Sequence, residues 1–147
     1  MQAKISKDFA KRIFDILKKE YPKVKPALVY SNPFELLIST ILSAQCTDER
    51  VNIVTKELFK KYKKPQDFIN LTQEELEKEI FSTGFYKQKA RSIKACCDEL
   101  IKNHKGKVPA DFDELVKLSG VGRKTASVIA GNAFGIPAIA VDTHVKR

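Results

Sequence analysis

No other stretch limits the fold as sharply as Leu118-Ser-Gly-Val-Gly-Arg-Lys-Thr-Ala126 and the apolar segment that carries it on to Asp142. Upstream, Phe112, Leu115, Val116 and Leu118 recur at helical spacing, so a short amphipathic helix enters the motif. Gly120-Val121-Gly122 then makes a tight hairpin, because two glycines let the backbone take φ > 0 without a Cβ clash. A second helix is expected from about Arg123 to Phe134, with Gly135 as its stop and Pro137 just beyond. Such a hairpin aims backbone N–H groups outward at a helix N-terminus, which suits an anion, and a DNA phosphate fits. An ordinary helical hairpin with a glycine turn fits equally, since Gly-x-Gly is a weak signal.

Lys124 sits in the first turn of that second helix, where the positive end of the dipole disfavours a further positive charge. Its neighbour Arg123 adds repulsion, and both effects favour the neutral amine that a lysine nucleophile needs. A phosphate contact or a solvated charge is the competing reading. Asp142 follows the apolar run Ile136 to Val141 and stands just before Thr143, a candidate helix cap. A carboxylate leaving a buried linker can return to the mouth of the hairpin as proton acceptor or electrostatic partner for Lys124, or it can simply cap the next helix.

Leu118 to Ala126 and Val141-Asp-Thr-His144 resemble the helix–hairpin–helix base-excision DNA glycosylases, most closely the endonuclease III subfamily. Leu42-Ser-Ala-Gln-Cys-Thr-Asp48 and Thr83-Gly-Phe-Tyr-Lys-Gln-Lys-Ala90 agree, in the right order. The resemblance implies an all-α helical bundle. A six-helix barrel domain would occupy 26–136, with the hairpin motif at about 112–134. The flanks 1–25 and 137–147 would be parts of a second, normally iron–sulfur, domain.

The resemblance further implies base-excision repair of duplex DNA carrying oxidised or saturated pyrimidines or abasic sites. Such bases must be extruded before any chemistry. Lys124 would be the nucleophile and Asp142 its partner in a bifunctional glycosylase and abasic-site lyase. Relatives that only cut the glycosidic bond typically lack the lysine. Gly120, Val121, Gly122, Arg123 and Thr125 would hold phosphate. Gln45 would fill the gap left by the extruded base, and Phe85 would be an apolar wedge between base steps. Without the resemblance, Gln45 reads as a surface loop residue, and Phe85 can equally be a core anchor under its turn. Ser119 replaces the proline usual in the hairpin, so a slightly looser hairpin is expected. The family's four-cysteine iron–sulfur motif has no counterpart up to Arg147, so no cofactor is expected in this chain, which reads as C-terminally truncated. The apolar face of Phe9, Ile13 and Leu17 would then lack its usual cover.

Composition agrees without deciding. Lys+Arg 27 against Asp+Glu 18 gives a net charge of +9, which favours a polyanion and makes binding salt-dependent. Cys46, Cys96 and Cys97 lack metal-ligand spacing and read as reduced, mostly buried small residues. His104 and His144 give no zinc pattern. No signal-peptide pattern opens the chain, and the apolar run Phe34 to Cys46 is too short and too polar for a membrane span. A monomer in the cytoplasm, nucleoid-associated in a prokaryote, is expected.

Along the rest of the chain, Ser6 caps a helix whose stripe is Phe9, Ile13, Phe14, Leu17 and Tyr21. Asn32-Pro33 starts a helix that is apolar on most sides and should be central. Thr47 caps Asp48 to Tyr62, Pro65 to Asn70 is a short helix, and Thr72 to Glu75 is a capping box for a helix ending at Phe81. Lys87 to Asn103 is the long amphipathic one, closed by Lys105-Gly106. Two other functions stay open: a helix–hairpin–helix DNA-binding module without chemistry (or an inactive glycosylase fragment), and a helical scaffold whose basicity is incidental.

Overall fold

The computed structural model describes residues 8, 11–13, 15 and 28–135, and no strand occurs among them. Seven α-helices follow in order within 28–135: α1 Pro33–Leu42, α2 Asp48–Lys61, α3 Pro65–Ile69, α4 Gln73–Ile80, α5 Tyr86–His104, α6 Phe112–Val116 and α7 Arg123–Phe134. A 3₁₀ turn, Phe81–Thr83, extends α4. The expected all-α class holds; α2, α3, α4, α5 and α7 end within one residue of the expected ranges, whereas α1 stops at Leu42 and α6 at Val116, two residues short of Leu118.

Those caps form because short polar side chains satisfy the first-turn amides that a helix leaves unpaired. Asn32 accepts from Glu35 N at 2.9 Å, Thr47 from Arg50 N at 3.2 Å and Thr72 from Glu75 N at 3.1 Å. Asp111 caps α6 by accepting from the amides of Asp113 and Glu114. At the other end of α5, Lys105 takes a left-handed conformation (φ 56°) and Gly106 N reaches back to Leu100 O at 2.8 Å. That bond closes the helix as a C-terminal cap should.

Helix α1 is the hub expected of it, with Phe34, Leu36, Leu37, Ile38, Ile41 and Leu42 all buried. It packs against α2, α5 and α7, while α5 covers α3 and α4. The stripe on α5, made by Ala90, Ile93, Cys96, Cys97 and Leu100, completes the same core. Phe68 is fully buried and meets Phe34 edge-on at 5.6 Å between ring centroids. Burying a side chain of this size contributes roughly 1.5–3 kcal/mol. The N-terminal stripe is described only at Ile13, which is 43% exposed; Phe9, Phe14, Leu17 and Tyr21 lie outside the described residues. So does all of 137–147.

Candidate nucleic-acid interface

The hairpin forms as the motif requires, with one correction to its glycines. Gly120 alone has φ in the left-handed region, at +80°. Gly122 has φ −90° and ψ −178°, the extended backbone of a helix N-cap. Their surroundings differ as well. A Cβ on Gly120 would lie 3.1 Å from Ser92 Cβ on α5 and 3.4 Å from Ile41 Cδ1 on α1, whereas one on Gly122 would meet nothing within 4 Å. Gly120 is therefore needed for the fold, and Gly122 leaves open space in front of the helix. No described side chain caps α7, so its leading amides have no side-chain partner among the described residues.

Val121 is buried together with Leu118, so only its backbone is on offer to a ligand. Its N–H closes the turn on Leu118 O at 3.1 Å. Arg123 is exposed but folds back, with Cζ 5.7 Å from the centroid of the Phe112 ring. That cation–π contact ties α6 to α7. Thr125 is half-buried one turn in. Lys124 is exposed in the first turn of α7, and no described residue hydrogen-bonds or ion-pairs with its amine. Asp142 lies outside the described residues.

Ser119 ties the hairpin to α5. Its N–H donates to Glu99 Oε2 at 2.8 Å and its hydroxyl donates to Glu99 Oε1 at 2.5 Å. A proline has neither donor. The serine replaces the ring's rigidity with two charge-assisted hydrogen bonds to α5, the strong kind.

Gln45 and Phe85 share an unusual state. Both are exposed, Phe85 at 66%, and both are non-glycine residues with positive φ, 51° and 46°. Phe85 is thus no core anchor; it forms the N-cap of α5 and points its ring at solvent. Nearby, Phe81 is exposed and packs against Tyr86 at 4.8 Å between ring centroids. Holding a bulky residue left-handed costs roughly 1–2 kcal/mol, so the surroundings must impose it.

One residue that sequence reasoning passed over links these loops. Lys89 is 5% exposed, and its ammonium donates to Leu42 O at 2.8 Å and Thr83 O at 2.9 Å. Burial lowers its pKa from the usual 10.5. Its position was a signal: it lies on the same face of α5 as Ile93, Cys96, Cys97 and Leu100, where an apolar residue is the default. Gln45, Phe85 and the hairpin all gather at the C-terminal end of α1, through Ile41 beside Gly120 and Leu42 beneath Lys89.

The cysteines do not suit a four-thiolate iron–sulfur site. There are three in the sequence, with Cys96 and Cys97 adjacent and buried in α5. Burial pushes the Cys96 thiol up to about 12, and the Cys97 thiol also rises. Among the described residues no cluster of His, Cys, Asp and Glu could hold a metal. No described helix is long and apolar enough to cross a membrane. Two surface grooves, one at Val29, Ile53 and Phe59 and one at Pro33, Pro65 and Phe134, do not border Lys124.

The chain is similar to known proteins in sequence and in fold. Residues 38–147 match the model of the HhH-GPD superfamily base excision DNA repair protein. Endonuclease III of Bacillus subtilis is 55% identical over 127 residues, covering 86% of this chain and 58% of that protein. Endonuclease III of Rickettsia prowazekii is 48% identical over all 147 residues, which span 68% of its length. A solved trapped endonuclease III–DNA covalent intermediate superposes with TM-score 0.88 at 54% identity, covering 96% of this chain and 66% of that one. The chain thus spans roughly 58–68% of the length of these relatives. The chain belongs to the HhH-GPD superfamily of base excision DNA repair proteins, within its endonuclease III family.

Proposed function

We propose that this protein is a bifunctional DNA glycosylase and abasic-site lyase acting on damaged pyrimidines in duplex DNA. The observation that carries this reading is the exposed Lys124 amine, unpaired by any described residue, in the first turn of α7 beside the open N-terminus at Gly122. A DNA backbone phosphate sits on the outward amides of Gly122 to Thr125, and the dipole of α7 assists. Gln45 fills the vacancy in the stack, and Phe85 wedges the adjacent step. The extruded sugar thereby meets Lys124.

In that reading the lysine nitrogen attacks the anomeric carbon, and the carbon–nitrogen bond to the base breaks with its electron pair leaving on the base. The nitrogen's lone pair then opens the sugar ring by breaking the C1′–O4′ bond, with O4′ taking up a proton. The resulting iminium between Lys124 and the sugar acidifies C2′, so proton loss there expels the 3′ phosphate by β-elimination. Asp142 serves as the carboxylate partner, accepting a proton or balancing the cationic nitrogen. A trapped endonuclease III–DNA covalent intermediate of a relative supports a route through a covalent protein–DNA bond. We read 26–136 as the barrel domain and the flanks as belonging to a second domain. The partner is double-stranded DNA, the protein acts as a monomer in the cytoplasm, and no step is assigned to a cluster.

Borohydride trapping on a duplex with one abasic site tests this. A covalent protein–DNA adduct that Lys124→Ala abolishes is expected. Tight duplex binding with no adduct would replace the enzyme by a binding module, and no salt-dependent affinity at all would leave a helical scaffold.

A further inference from the structure

Lys89 occupies a core position with a cation, and the cost of burying a charge demands a return. A leucine there would extend the stripe of Ile93, Cys96, Cys97 and Leu100 without that cost. The two acceptors explain the choice. Leu42 O belongs to the last residue of α1, and Thr83 O to the last residue of the 3₁₀ turn. Both are carbonyls that a helix end leaves unpaired, at the negative end of its dipole. The acceptors stand 47 and 6 positions from Lys89 in sequence. Gln45 is three residues beyond Leu42, and Phe85 two beyond Thr83. Each of these exposed residues is held at positive φ, a state that persists only where the surroundings over-determine it.

We propose that Lys89 is a positioning residue: by holding both carbonyls on one ammonium it fixes the spacing between Gln45 and Phe85, so that the two side chains enter a duplex as a pair. This rests on the DNA reading above and deepens it. Neither side chain touches Lys89 through its own functional group; the lysine acts on the backbones that carry them. Without it, each loop relaxes separately, and the entry of one side chain no longer prepares the other.

The test is a double-mutant cycle read by fluorescence anisotropy, on a duplex with a tetrahydrofuran abasic analogue and on the intact duplex. In the wild type, Phe85→Ala should lower the preference for the analogue by about tenfold, within the range expected for losing one stacking aromatic. In a Lys89→Met background that preference is already lost, and Phe85→Ala should cost less than about twofold more, because interacting sites are not additive. Salt-dependent affinity for the intact duplex should stay at the wild-type level in the Lys89→Met single variant. Lys89→Gln, whose shorter side chain cannot bridge both carbonyls, should behave as Lys89→Met does. An undiminished Phe85→Ala effect in the Lys89 variants overturns the proposal. Loss of helical circular dichroism in both variants also overturns it, since Lys89 would then hold up the core and not the loops. A wild type with no preference for the analogue overturns the DNA reading as well, which separates the two failures.

Discussion

Gly120 and Gly122 look interchangeable in the sequence, yet the structure predicts opposite consequences for the same added methyl. At Gly120 (φ +80°) an alanine incurs the left-handed penalty, about 1–2 kcal/mol. Its Cβ would also sit 3.1 Å from Ser92 Cβ and 3.4 Å from Ile41, so two packed helices must give way. Overpacking of that kind costs about 1–3 kcal/mol, so Gly120→Ala should lose about 2–5 kcal/mol in all. At Gly122 the backbone is extended and the space is empty. There Gly122→Ala should cost about 1 kcal/mol or less, the difference between glycine and alanine as an N-cap. The same methyl stands where a phosphate would approach the amides of α7, so it should weaken duplex binding. Urea unfolding followed by circular dichroism gives the first quantity, and anisotropy titration with a short duplex gives the second. Equal destabilisation by the two alanines would refute the packing argument. A folded Gly122→Ala that binds DNA like the wild type would refute the phosphate site.

Glu99→Ala removes the carboxylate that accepts from Ser119 N and Oγ, and should cost about 1.5–3 kcal/mol in urea unfolding, more than Ser119→Ala, which leaves the N–H bond intact. Native protein at pH 8 should show one readily reactive thiol, the half-buried Cys46, and three after unfolding, because burial keeps Cys96 and Cys97 protonated and covered. The same two thiols hold their protons in the folded state beyond the ordinary value of 9.0. Their contribution is therefore fully present below pH 9 and lost as pH rises toward about 12, and a Cys96→Ala, Cys97→Ala double variant should flatten that alkaline decline. Duplex affinity should fall linearly on a log–log plot against salt, as phosphate neutralisation by a +9 chain requires; a flat line would remove the DNA partner.

Much of the fold was legible because it is local. The caps at Asn32, Thr47 and Thr72 and the apolar α1 are readable from a few adjacent residues, and each appears where it was read. The hairpin's place and the exposure of Lys124 follow from the same short-range rules. What the sequence leaves unseen are mostly contacts between distant segments. Ser119 was read through the proline it replaces, but its strength comes from Glu99, twenty residues earlier and on another helix. The two glycines differ in backbone conformation, and Gly120 is further set apart by Ile41 and Ser92, which no window around the motif contains. Lys89 carried a faint signal, a charge in an apolar stripe. Its acceptors, however, are backbone carbonyls, which every residue has and no sequence pattern marks. The pairing of Lys124 with Asp142 still rests on the motif, because Asp142 lies outside the described residues.

The central claim is that one particular amine forms the bond to the sugar. Peptide mapping by mass spectrometry of the borohydride-trapped adduct tests it most directly, since reduction fixes the imine in place. The DNA-linked mass should appear on the peptide that contains Lys124 and on no other. An adduct on the amino terminus, or on another lysine while Lys124 is recovered unmodified, would contradict the account.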